Sequence, residues 1–234
     1  MCSVSPISAT LVAWGNAWLC GHVGLDEAAD RVQRAAGPQR VAPGDVTLRG
    51  FLADLRVAGL QALRLALPVA GDPLGLTGPP DFNGHAIDAG QAVIAVCTDR
   101  CVGLIPASDR RGSSYTGVRW TALDAATTPP DLPSLSEAER ALAEAMRVAA
   151  ETLAGIGGPL PGRPEIRHTD DGLAPGYPPR AHRVAALCTR LAVALRAADE
   201  GGLTSGQIAI RSQALRDLDR AVRRARVASH HAIR

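Results

Sequence analysis

Five polar residues close together in the chain are its best candidates for chemistry: Asp72, Asp81, Asn83, His85 and Asp88. His85 and Asp88 are three apart, so a short helix starting near Gly84 puts them on one face, where a carboxylate bonded to an imidazole tunes it as a general base. With Asp72 and Asp81 nearby in sequence, the same stretch reads as an oxygen-rich candidate ligand-binding loop. Its plainer reading is an ordered loop whose Asp and Asn residues make turns. A second candidate is cationic. Arg216, Arg220, Arg223 and Arg224 fall mostly off the apolar side of the last expected helix, where phosphates or an acidic partner would meet them. Their plainer reading is a solvated helix face, with Asp219 pairing to Arg223 four residues on and the cations complementing the helix dipole.

Other groups suggest less. Cys97 and Cys101 form a CxxxC with no second pair, too few thiolates for a metal site. His230 and His231 stand at the tail, where fraying is the expectation. All 25 basic residues are Arg and none is Lys, which excludes an ordinary P-loop, a Schiff-base enzyme and a kinase-type lysine together. Neither GxSxG nor HExxH occurs. Gly71, Gly75 and Gly78 do not fit GxGxxG, and Pro79 and Pro80 occupy the place where a dinucleotide-binding helix should begin. No cofactor, no metal and no complete catalytic constellation is expected.

The elements that must position these residues follow from periodicity. Leu63, Leu65, Leu67 and Val69 alternate with Ala62, Arg64, Ala66 and Pro68, the pattern of a half-buried strand over 62–69. Pro68 places that strand at a sheet edge or marks its exit. Gly71 to Gly84 then carries four glycines and three prolines, which predicts a long irregular loop. Upstream, three helices are expected, over 8–20, over 25–36 and after Asp45 or Thr47. The two Trp of the first, Trp14 and Trp18, read as a core-facing stripe. Downstream, 92–97 and 102–106 read as a hairpin and 116–123 as a further strand, with a polar turn at 109–114.

This makes an α+β protein: three N-terminal helices over one face of a small, mostly antiparallel four-stranded sheet, then a three-helix C-terminal part. The division runs 1–126 for the helix-plus-sheet part, 127–133 for a Pro-rich linker (TTPPDLP) and 134–234 for the helical part, the two packed as one unit. Ser134 and Glu137 form a capping-box signature at the start of the first C-terminal helix. Val184, Leu187, Cys188, Leu191 and Leu195 make the stripe of the second, and Ile208, Leu215, Leu218, Val222 and Ala225 that of the third.

Composition is globular, with 46% hydrophobic and 21% charged residues among 234, and only 3% aromatic, so the core must be built of Leu, Val and Ala. Formal net charge is +2, but the last thirty residues carry 7 Arg against 2 acids. The five cysteines are odd in number and lack framework spacing, and Met1 to Ser8 lacks the basic and apolar regions of a secretory signal. Reduced thiols in the cytoplasm are expected. The most apolar helical run, 184–198, is interrupted by Arg190 and Arg196, so no membrane span is expected.

The phrases LVAWGNAWL (Leu11 to Leu19), LALPVAGDPLGL (Leu65 to Leu76), GPPDFN (Gly78 to Asn83) and GYPPRAHRVAAL (Gly176 to Leu187) resemble a family of uncharacterised, alanine- and arginine-rich proteins of actinobacterial type. The resemblance implies a cytoplasmic bacterial protein and carries over no activity. The leading functional expectation is a non-catalytic protein that binds another protein or itself. Small-molecule binding or an enzyme using the Asp72 to Asp88 loop is the alternative, and nucleic-acid binding through the arginine-rich last helix is a second.

Overall fold

The computed structural model describes residues 5–111, 115–156, 172–198 and 205–233. Three helices come first, α1 (Ile7–Leu19), α2 (Leu25–Ala36) and, after a short strand pair, α3 (Leu48–Val57). That pair is β1 (Gln39–Ala42) and β2 (Val46–Thr47). Next come β3 (Ala62–Ala66), α4 (Pro80–Ala89) and β4 (Ala92–Val96). The long hairpin β5 (Cys101–Arg111) and β6 (Tyr115–Ala125) completes the sheet, and α5 (Leu135–Ile156), α6 (Pro179–Ala198) and α7 (Ser205–His230) form the C-terminal bundle.

The sheet has six strands in the order β2-β1-β6-β5-β4-β3. Every pairing is antiparallel except β1 with β6, which run parallel from Gln39 opposite Val118 to Ala42 opposite Thr121. A four-stranded, mostly antiparallel sheet with three helices before it and three after is thus not what the chain forms: the described residues make seven helices and one six-stranded mixed sheet. The difference has local causes. β1 and β2, four and two residues long, lie inside a Gly/Pro-interrupted segment with too few positions to display alternation. β1 is fixed by tertiary contacts instead: Val41 is fully buried, and Gln39 accepts a hydrogen bond from the buried Trp120 indole at 2.8 Å.

The fourth N-terminal helix, α4, was hidden by its own prolines. Pro80 occupies its first turn, where a missing N–H costs nothing and the fixed φ suits the helix. Asn83 supplies an internal bond by accepting from the Gly78 N–H at 3.2 Å, and Gly90 closes the helix in the left-handed conformation. The long irregular segment is therefore shorter than the composition suggests.

Both faces of the sheet are covered. Leu63, Leu65, Val93, Leu104 and Trp120 pack beneath α1 and α3, while Ala92, Ile94, Cys101 and Ile105 face Phe82 and Ala86 of α4. Gly103 of β5 permits the second contact, because a Cβ there would strike the Phe82 ring. Leu63, Leu65 and Leu67 are buried as their alternation requires, but Val69 is 38% exposed, the strand having ended at Ala66. The capping box forms, with the Ser134 N–H bonded to Glu137 Oε2 at 2.9 Å and the Glu137 N–H to Ser134 Oγ at 3.3 Å. Hydrogen bonds from Ser134 hold the Glu137 carboxyl below its usual range.

The C-terminal bundle is closed by Leu142, Val184, Cys188, Leu218 and Val222, most of them from the stripes expected for these helices. Its other side meets α1, whose Ala13, Trp14 and Ala17 pack with Tyr177, Ala181 and Ala185. The expected polar turn at 109–114 begins later than placed, since Asp109 to Arg111 still belong to β5; residues 112–114 lie outside the described residues. So do residues 157–171 and 199–204.

Candidate functional site

β3 is an edge strand, and its outer row of backbone groups would be open to a foreign strand if nothing covered it. Side chains cover it. Asn16 of α1 makes two reciprocal bonds to Leu63, accepting from its N–H and donating to its carbonyl, both at 2.8 Å. His231, just past the end of α7, accepts the Leu65 N–H on Nε2 at 2.9 Å. Arg223 of α7 donates to the Leu67 carbonyl, also at 2.9 Å. An amide, an imidazole and a guanidinium thus replace the missing strand.

The same helix is held by charge. Val69 to Asp72 is a tight turn closed by two backbone bonds of 3.0 and 2.9 Å, and it presents the Asp72 carboxylate to α7. Asp72 lies 3.1 Å from Arg223 and 3.0 Å from Arg224, with its side chain only 9% exposed. Arg223 also bonds Asp219 at 3.0 Å, the i,i+4 pair that the spacing allows. Tyr177 donates to the His230 carbonyl at 3.0 Å, and His230 Nδ1 lies 2.8 Å from the Arg226 carbonyl. The histidine pair is therefore built into the body of the protein; the segment that carries it is docked, not frayed.

Burial disfavours the charged imidazole at both positions, pushing His230 down to about 3 and His231 down to about 4, with the Arg226 and Arg64 charges adding to the effect. Burial also raises the Tyr177 phenol and the Cys188 thiol, the latter to about 11. Cys97 is raised chiefly by burial, against the lowering influence of Arg100, so neither cysteine has the character of a nucleophile.

The candidate residues of the Asp72 to Asp88 stretch do not converge. Asp72 faces α7, whereas Asp81 and His85 pair with each other at 3.6 Å on the exposed surface of α4. Asn83 serves the helix start and Asp88 is exposed. His85 is thus partnered by the residue four before it, not by Asp88 three after. Four of the five candidates stand on α4 and one on a turn, and of these only Asp81 and His85 meet. Among the described residues no group of three or more His, Cys, Asp or Glu side chains could hold a metal ion.

What the docking of α7 creates is a cleft of about 900 Å³ between the bundle and the N-terminal part. Arg216, Asp219, Arg220, Arg223 and Arg226 of α7 form one wall, with Arg196 of α6 beside them. Ile7 at the start of α1, Val69 and Ala70 of the turn, and Gln91 after α4 stand opposite. None of the five candidates of the Asp72 to Asp88 stretch lines it, but the turn that carries Asp72 does. Of the four arginines singled out by the sequence, Arg223 and Arg224 are committed to Asp72. Arg216 bonds the Gln213 amide at 2.7 Å, and Arg220 makes an exposed 3.3 Å contact with Asp217. The sequence located the cationic helix but gave no means of finding its opposite wall, because Ile7, Val69 and Gln91 are remote from α7 along the chain.

Two family models match the chain, described as Rv1486c-like protein, N-terminal domain, over residues 8–134, and Rv1486c-like protein, C-terminal domain, over 136–227. Uncharacterized protein Rv1486c of Mycobacterium tuberculosis is 33% identical over 191 residues, covering 64% of this chain and 65% of its own length. Uncharacterized protein MAV321 of Mycobacterium avium is 30% identical over 188 residues (64% and 61%), and ML1804 of Mycobacterium leprae 29% over 195 (64% and 65%). The chain spans just under two thirds of the length of these relatives. No solved structure matches.

Proposed function

The chain belongs to the Rv1486c-like family across both of its halves, and from that premise we propose that it is a non-catalytic cytoplasmic binding protein whose inter-half cleft seats an anionic partner. The observation that carries this reading is the line of arginines from α7 along one wall of a 900 Å³ cleft whose other wall comes from the N-terminal half. The residues of the two family domains thus supply the two walls together.

Arginine suits the role. Its planar fork matches a carboxylate or phosphate in a bidentate way, and its charge persists at any physiological pH. Asp72 supplies the model for such a contact, since its carboxylate already rests between Arg223 and Arg224. Catalysis has less support, because the chain's polar candidates are dispersed and its raised thiols are poor nucleophiles. Nucleic-acid binding through this helix is disfavoured by the commitment of Arg223 and Arg224 to Asp72, and among the described residues no aromatic lines the cleft for bases to stack on. Among the described residues no helix is long and apolar enough to cross a membrane, which fits a partner met in solution.

Fluorescence anisotropy with a labelled glutamate-rich peptide tests the reading. Wild-type protein binds, affinity falls as salt rises from about 0.05 to 0.5 M, and the double variant Arg216→Gln/Arg220→Gln binds at least about tenfold more weakly, a loss of roughly 1.4 kcal/mol. Equal binding by wild type and variant would overturn it.

A further inference from the structure

The cleft has more character than a patch of positive charge, and its shape restricts what can enter. Resting on the reading of the cleft as an anion receptor, we infer that its occupant is an acidic amphipathic helix from another protein, laid alongside α7.

Three observations point there. First, the arginines form a ladder. Arg216, Arg220 and Arg223 follow the i, i+4, i+7 spacing of one helical face, a row about 10 Å long at 1.5 Å per residue. Carboxylates at the same spacing on a second helix, about 5–6 Å apart, keep step with it. A single small anion would engage only one of the two exposed rungs, Arg216 or Arg220.

Second, the cleft is as apolar as it is charged. Ile7, Val69, Ala70, Ala192, Leu195 and Leu215 line it together with the arginines. A wholly hydrophilic ligand would leave these side chains facing water. A helix with an acidic edge beside an apolar one covers both, which is the way helices bind grooves generally. Val69 fits this role: it continues the alternation of a buried strand, yet it is 38% exposed and stands on the wall of the cleft.

Third, the dimensions agree. A volume of 900 Å³ spread over about 10 Å gives a trough of about 90 Å² in section, wide enough for one face of a helix whose diameter with side chains is about 10–12 Å. The ladder also opens at low cost. Arg220 is 55% exposed and its contact with Asp217 is a solvent-screened surface pair, so an incoming carboxylate displaces it readily. Among the described residues no carboxylate pairs with Arg216, whose partner is the neutral Gln213 amide. Arg223, tied to Asp72 and Asp219, stays in place and closes the ladder at its inner end. Asp219, also on the wall, disfavours a phosphate dianion more than it does a single carboxylate.

The test uses the whole protein and four probes: a helical peptide with Glu at i, i+4 and i+7 beside a Leu stripe, the same peptide with a central Pro, inorganic tripolyphosphate, and a single-stranded oligonucleotide. The helical peptide is expected to bind at least about tenfold more tightly than the Pro peptide. Arg216→Glu/Arg220→Glu, at two exposed positions and checked for unchanged circular dichroism, should abolish the difference. Equal binding of both peptides overturns the helical occupant while leaving the anion receptor standing, and tighter binding of tripolyphosphate or the oligonucleotide does the same. If no anionic probe binds, both readings fail. Sedimentation of the protein alone covers the remaining occupant: a dimer that the double Glu variant dissociates would assign the cleft to a second copy and overturn the inference.

Discussion

Replacing Asp72 by Asn keeps the shape of the side chain and removes the charge that two guanidinium groups share. The Asp72 side chain is 9% exposed and lies 3.1 and 3.0 Å from Arg223 and Arg224. Breaking a buried ion pair by removing one partner costs about 3–5 kcal/mol, because the other charge stays desolvated. Two features reduce that figure here. Arg223 keeps Asp219 and the Leu67 carbonyl, and Arg224 is 41% exposed, so water replaces part of what it loses. The expected destabilisation is about 2–3 kcal/mol. Urea unfolding followed by circular dichroism reads it directly. A double-mutant cycle of Asp72→Asn with Arg223→Gln should show a coupling of at least about 1 kcal/mol, since the two side chains touch. A loss for Asp72→Asn below about 0.5 kcal/mol, with zero coupling, would refute the reasoning that this carboxylate anchors α7.

Two further outcomes are expected. The imidazoles of His230 and His231 titrate near 6.5 when unfolded but only near 3 and 4 in the native protein, so the unfolded chain binds more protons between these values. Their contribution is complete above about pH 6.5 and is lost as the pH falls, by about 2 kcal/mol at pH 5 for the buried His230 and less for the half-buried His231. The urea midpoint should therefore fall between about pH 7.5 and 5, less steeply in His231→Gln, and a flat midpoint would contradict the burial argument. Gly103→Ala puts a methyl group against the Phe82 ring and should destabilise by about 1–3 kcal/mol, with Phe82→Leu in the same chain recovering part of it. Additive losses in that pair would show that the two sites do not touch.

Much of the architecture was legible because its signals were local. The stripe of α6, the Leu218, Val222 and Ala225 part of the α7 stripe (the Ile208 side chain lies outside the described residues), the capping box at Ser134 and the burial of Leu63, Leu65 and Leu67 all follow from spacing within one element. What escaped depended on distant partners. β1 exists because β6 offers it a parallel edge and Trp120 offers Gln39 a bond, neither visible in a four-residue run. α4 was masked by Pro79 and Pro80, which composition reads as helix breakers but which suit a helix at its entry. Asp72 and the α7 arginines were both singled out, for separate sites, and the structure joins them across 151 residues of chain. The histidine pair reads as loose from its own sequence because its burial rests on distant partners, Leu65 and Tyr177.

The account turns on α7 closing the exposed edge of β3, since the cleft exists only where that helix docks. Hydrogen exchange at the Leu65 amide tests this most directly, because its N–H points away from β4 and toward the His231 imidazole. In the wild type this amide should be protected like those of β4, and His231→Ala should release Leu65 selectively while the Ala95 amide of β4 stays slow. A Leu65 amide that exchanges as fast as an open edge in the unaltered protein would mean that α7 is not docked there, and the cleft would go with it.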